Sequence, residues 1–154
     1  MRARYALAAI TFSTAALAFS GTTSTFAAEP QPATSAHSVM ASSAKSDCPA
    51  GYFCVWKDAN YSDGPAKFAG DNSDWTNFSH SSCSSGTWNN CASSGFNNGT
   101  SGMGVSVRQL VGGGGDAACL PRGWSLSDFS GYVWPGTSDS FNDSISANFW
   151  TSAC

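Results

Sequence analysis

WNNCASSGF (88–96) and FNDSISANF (141–149) align without a gap at an offset of 53 residues. The alignment sets Trp88 on Phe141, Asn89 on Asn142, Asn90 on Asp143, Ala92 on Ile145, Ser93 on Ser146 and Phe96 on Phe149. Self-similarity at a fixed offset indicates two copies of one supersecondary unit, each needing the other to bury its apolar side. Around the two copies the strand-like runs are short and separated by Gly, Asn, Ser and Asp: 52–57, 66–69, 104–111, 118–121 and 131–134. No stretch repeats apolar residues at helical spacing over a dozen positions, so the fold class is all-β, built of hairpins. Val105 and Val107 alternate with Ser106 and Arg108, the pattern of a strand with one buried face.

The four glycines 112–115 impose no backbone preference and are expected to join the two halves. Motif one then spans about 48–111 and motif two about 116–154. A weaker echo pairs Cys54, Val55 and Lys57 with Cys119, Leu120 and Arg122 at an offset of 65, which would start each half on a Cys-bearing strand.

The chain opens with Arg2 and Arg4, then an uncharged run from Ala6 to Phe19, then small residues at Thr25, Ala27 and Ala28. The run is shorter than the roughly 20 residues that cross a bilayer, so residues 1–27 read as an export signal and no membrane span is expected after cleavage. Residues 28–47 are rich in Ala, Ser, Thr and Pro and lack aromatics, the composition of a flexible tether. All six cysteines and all six tryptophans follow, which places one folded domain at 48–154. An even cysteine count in an exported chain favours disulfides, and short separations favour Cys48 with Cys54 and Cys83 with Cys91, leaving Cys119 for Cys154. With no CxxC pair and His80 the one domain histidine, structural zinc is disfavoured. Removing Arg2 and Arg4 takes the net charge from −3 to −5, and Lys57, Lys67, Arg108 and Arg122 form no basic stripe for nucleic acid.

CPAGYFCVW (48–56), KDANYSDG (57–64) and WNNCASS (88–94) together resemble the secreted streptomycete-type metalloproteinase inhibitors, peptidase inhibitor family thirty-six. That resemblance implies a βγ-crystallin-like fold of two Greek keys, here stapled by disulfides. The hairpin signature of that fold, two aromatics five apart and a glycine two beyond, is met by Trp56 and Tyr61 while Gly64 arrives one residue late, and Pro121 and Leu126 stand at the expected aromatic positions of the second half. The resemblance also implies a pair of calcium sites shared between the copies, built from Asn89, Asn90, Ser93 and Ser94 and from Asn142, Asp143 and Ser146, with Ala147 replacing the last serine. Calcium takes six to eight oxygens, and Asp143 is the one carboxylate in either copy, so binding would be weak. The same side chains would equally serve to tie down their own loops through nearby backbone groups, and the two readings stand side by side.

The domain has no glutamate and no GxSxG, HExxH or phosphate-loop motif, so an enzyme is not expected. His80, among Ser79, Ser81 and Ser82, reads as solvated surface, and the aspartates read as turn residues. Trp56, Trp88 and Trp150 are expected in the core, while Trp124 and Trp134 stay open between core and a sugar-binding surface. The leading function is inhibition of an extracellular peptidase by a secreted monomer, with no required cofactor. A loop closed by Cys83 and Cys91 suits that role, being already ordered before it binds. The alternative is a calcium- or carbohydrate-binding crystallin-type module, killer-toxin-like in action.

Overall fold

The structure, a computed structural model, describes residues 44–154; the expected export signal and the tether up to residue 43 lie outside the described residues. Seven strands form two antiparallel sheets: β1 (Phe53–Trp56), β2 (Ala66–Phe68), β3 (Ser94–Asn97), β4 (Gly104–Arg108), β5 (Ala117–Leu120), β6 (Ser125–Leu126) and β7 (Ala147–Thr151). The first sheet runs β2-β1-β3-β6 and the second β5-β4-β7. Asn72 of the first half bridges Asn148 on β7, so each sheet takes its outermost piece from the other half. This is a pair of Greek keys that exchange their third strand.

Register fixes the equivalence of the halves residue by residue. Phe53 faces Phe68 as Val105 faces Leu120, and Val55 faces Ala66 as Val107 faces Ala118, an offset of 52. Trp56 faces Ser94 as Arg108 faces Ala147, which returns the offset of 53 for β3 and β7. The backbone repeats the symmetry: Ser93 N–H donates to the Trp56 carbonyl at 2.9 Å, and Ser146 N–H to that of Arg108 at 2.8 Å.

The equivalence corrects the expected boundary between the motifs. Strand β4 opens the second half rather than closing the first, the join is 98–103, and the glycines 112–115 form the loop of the β4–β5 hairpin. Asn60, Tyr61 and Asp63 hold left-handed φ values of 59°, 58° and 53° in the first hairpin; Gly112, Gly113 and Gly115 hold 81°, 83° and 71° in the second. Glycine reaches that region without the Cβ clash other residues meet, so the run is a shaped turn. Cys119 falls opposite Ser106 on β5 and corresponds to Lys67, not Cys54, so the echo at offset 65 is not structural. Arg108 and Gly113, not Pro121 and Leu126, stand where the first hairpin has Trp56 and Tyr61.

One core lies between the sheets. Phe53, Val55, Phe68, Trp75, Val105, Val107, Phe129, Trp134 and Ile145 are buried in it, and Trp88 and Phe141 sit at equivalent places, 5% and 4% exposed. Each large apolar side chain of this kind stabilises by about 1.5–3 kcal/mol over leaving it in water. Trp134 is fully buried, its indole N–H on the Ser144 hydroxyl at 2.9 Å, so it offers no sugar platform; Trp124 and Trp150 pack half-buried at the margin. Residues 131–134 form no strand, only a single bridge between Val133 and Ser140.

The outer faces differ. On the first sheet, Cys54 and Trp56 are buried in a second cluster with Cys48, partly covered by Tyr52, Tyr61 and Phe96. Residues 44–47, expected in the tether, instead belong to the fold: Lys45–Asp47 make a 3-10 turn, and the Lys45 ammonium reaches the Ser125 hydroxyl at 2.9 Å and lies 4.2 Å from the Phe96 ring centre. The gain is a cation over an aromatic face. Three disulfides join Cys48–Cys54, Cys83–Cys91 and Cys119–Cys154, with Cα atoms 5.8, 5.8 and 5.4 Å apart. This is the pairing expected from spacing.

Candidate functional site

The repeated Asn/Asp-Ser segments meet where the two Greek keys cross. Asn90 N–H donates to the Ile145 carbonyl and Asp143 N–H to the Ala92 carbonyl, both at 3.0 Å, so each copy ties its tip to the other's backbone. Asn90 and Asp143 both take left-handed φ, 54° and 52°, a conformation that short polar side chains tolerate. The crossing brings the candidate residues into two places related by the pseudo-twofold axis.

In the first place the Ser93 hydroxyl donates to Asp143 Oδ1 at 3.2 Å, and Asn142 Nδ2 donates to Asp143 Oδ2 at 2.7 Å. Lys57 and Asp58, just beyond β1, complete a cleft of about 350 Å³ that also includes Ser82, Ser84 and Asn90. Partial burial pushes the Asp143 carboxyl above the usual carboxylate range, against the pull of the Ser93 hydroxyl and the Lys57 charge. The Lys57 ammonium is held above the ordinary lysine range, chiefly by its 2.8 Å hydrogen bond to Asp58. In the second place the Ser146 hydroxyl lies 3.0 Å from Asn90 Oδ1 and 2.7 Å from the Gln109 carbonyl, with no carboxylate in the contact.

Both places offer hard oxygen donors of the type calcium takes. The side-chain oxygens of Asn89 and Asn142, equivalent by the offset of 53, are buried without a hydrogen-bond partner. Among the described residues no cluster of three or more His, Cys, Asp or Glu side chains forms. The oxygen donors suit a hard cation, with Asp143 and Asp58 as the carboxylates of the first cleft and the Lys57 ammonium beside them.

Beside the crossing, the Cys83–Cys91 bridge closes a loop that its backbone also holds. Gly86 N–H bonds the Cys83 carbonyl at 2.9 Å, His80 N–H bonds that of Gly86 at 2.9 Å, and Ser79 bridges Thr87. His80 is not the solvated residue expected: its ring stacks on Trp88 at 4.3 Å, and Nε2 lies 3.1 Å from Asp63 of the first hairpin. Asp63 lies on a different hairpin and Trp88 at the far end of the closed loop, so the serines beside His80 carried no sign of this. Lys57 and Asp58 were likewise invisible as site residues, since only the hairpin geometry brings them to Ser93. Ser84, Ser85 and Gly86 stand exposed at the tip of the closed loop.

Comparison with known proteins agrees with this architecture. A solved structure described as "Evolution of the eye lens beta-gamma-crystallin domain fold" matches with a TM-score of 0.51 at 19% identity, covering 68% of this chain and 89% of that one. A beta gamma crystallin from Ciona intestinalis is similar at 17% identity and a TM-score of 0.48, covering 66% of this chain and 100% of its own. No curated protein sequence matches the chain. The class is thus an all-β, disulfide-bridged domain of βγ-crystallin-like fold. Within that class, residues 41–107 match the model of peptidase inhibitor family I36.

Proposed function

We propose that the protein is a secreted inhibitor of an extracellular peptidase, of the metalloproteinase type, and that the Cys83–Cys91 loop is the segment it presents. The observation that carries the reading is the position of that loop: it lies inside the family-matched region, with an exposed tip on a doubly anchored base. A loop ordered in advance forfeits little conformational freedom on binding, which leaves more of the contact energy as affinity. The disulfides accord with an oxidising compartment. Titration of thermolysin-like and subtilisin-like peptidases with the refolded domain tests the reading. Stoichiometric inhibition of the metallo-enzymes, weakened when both Cys83 and Cys91 are changed to Ser, is expected; no slowing of either class at micromolar concentration would sink it.

The paired places at the crossing support a second, compatible proposal: they hold calcium. Asp143 and Ser93 would serve one site and Asn90 and Ser146 the other, with Asn89 and Asn142 supplying their free side-chain oxygens. Bound calcium would act as a cross-link between the two Greek keys, since both copies contribute to each place. Calorimetric titration with calcium, with a matching rise in melting temperature, checks this, and Asp143→Asn should abolish the tighter event.

A further inference from the structure

The two sheets have equivalent outer faces, yet one is covered and the other open. On the first, Cys54, Trp56 and Phe96 lie beneath Tyr61 and the 44–52 segment. Register carries those three positions onto Ser106, Arg108 and Phe149 of the second sheet, and Tyr61 onto Gly113. Among the described residues no segment covers this face beyond the C-terminal residues 153–154, which the Cys119–Cys154 bridge holds at its edge. A cleft of about 460 Å³ lies over it, lined by Ser106, Arg108, Ala117, Phe149 and Thr151 among others, with no acidic side chain in the lining.

Arg108 decides what the cleft accepts. The residue is half-buried, and its Nε is shielded from water without a hydrogen-bond partner. Among the described residues no carboxylate pairs with its guanidinium, although the chain has more acids than bases. A guanidinium has five donors and no acceptor, and a shielded donor without a partner costs free energy that an incoming acceptor recovers. Ala117, directly across from Arg108, leaves room beside it, and Phe149 supplies an apolar wall. The shape and charge suit a carboxylate, which meets the guanidinium fork with two parallel hydrogen bonds, carried on a chain that can lie along the apolar wall.

We propose that this cleft is a docking site for an acidic side chain, a glutamate or aspartate on an extended segment of a partner protein. The site lies almost wholly beyond the family-matched region and does not depend on the inhibitory loop. The test is a nuclear magnetic resonance titration of the nitrogen-15-labelled protein with the peptide acetyl-Ala-Glu-Ala-amide, its Gln counterpart and sodium acetate. The Glu peptide should shift the amides of Ser106, Arg108 and Phe149 and the Arg108 Nε–H resonance saturably, leaving Cys54 and Phe96 unmoved, while the Gln peptide does not. Arg108→Gln should abolish the response with the spectrum otherwise folded, and Arg108→Lys, which keeps the charge but loses the fork, should weaken it about tenfold. Equal response to Glu and Gln, persistence in Arg108→Gln, or no saturation at millimolar peptide would each overturn the proposal. So would acetate binding as tightly as the peptide, which would make this a free-anion site only.

Discussion

The hairpins β1–β2 and β4–β5 reach one backbone shape by two chemistries. In the first, Asn60, Tyr61 and Asp63 hold the left-handed positions, and the Tyr61 ring packs edge-on against Trp56 at 5.1 Å. In the second, glycines hold the same positions, and Phe149 approaches so closely that a Cβ on Gly113 would meet its ring at 3.0 Å. Side-chain packing stabilises the first against backbone strain; the second avoids the strain but gives up the packing and more chain entropy. The same contrast runs through the outer faces: the first is covered by the 44–52 segment and by aromatics, while the second carries an exposed bridge, Cys119–Cys154.

Removing the bridges should show this contrast most strongly. Cys119 and Cys154 are separated by 35 residues and Cys48 and Cys54 by 6. Loop-closure entropy then assigns about 4 kcal/mol to the former and about 2 to the latter. The double change Cys119→Ser, Cys154→Ser should lower the melting temperature more than Cys48→Ser, Cys54→Ser, as read by calorimetry. The next effect concerns the sealed hairpin. Tyr61→Ala keeps the left-handed strain but loses the ring pair, and should cost about 2 kcal/mol in denaturant unfolding.

The open hairpin gives the converse. Gly112→Ala meets no neighbour within 4 Å. Any loss, expected at about 1 kcal/mol, therefore reports the left-handed backbone alone. A neutral result would show that this loop, unlike its partner, can relax.

The smallest expected effect is electrostatic and belongs to the crossing. Burial raises the folded-state pKa of Asp143, so between its unfolded and folded values the folded state holds more protons. Without calcium, stability should therefore fall as pH rises through that window, and the penalty should be complete above it. Asp143→Asn should flatten that part of the profile of melting temperature against pH, while Asn90→Asp, placing a carboxylate in the other copy, should steepen it.

The repeat at 88–96 and 141–149 was legible because both copies make the same chain crossing with the same polar side chains, and Trp88 and Phe141 anchor both. The disulfides were legible because two of the separations are short. The join was misread because four glycines look like a linker, whereas three of them satisfy left-handed positions that Asn60, Tyr61 and Asp63 fill in the other half. The place of strand β4 in the second half is hidden in the sequence because Val105 and Val107 match Phe53 and Val55 only as generic apolar residues, while the cysteines, which are not repeated, produce a false echo. Strand β3 escaped notice because Ser94, Gly95 and Asn97 hide a buried strand in loop-like composition. The cleft at Arg108 had no sequence signal of its own; it emerges only when the two outer faces are compared.

The exchanged third strands make the molecule resemble a heterodimer whose subunits happen to share one polypeptide. Strand β6 finishes the first sheet and Asn72 extends the second, so the connector at 98–103 serves mainly to set a high local concentration of each half around the other. Peptides spanning 44–98 and 103–154 should each leave an unpaired sheet edge in isolation and fold on mixing. A single cut in the connector would turn a first-order folding reaction into a second-order one, with a melting temperature that rises with protein concentration.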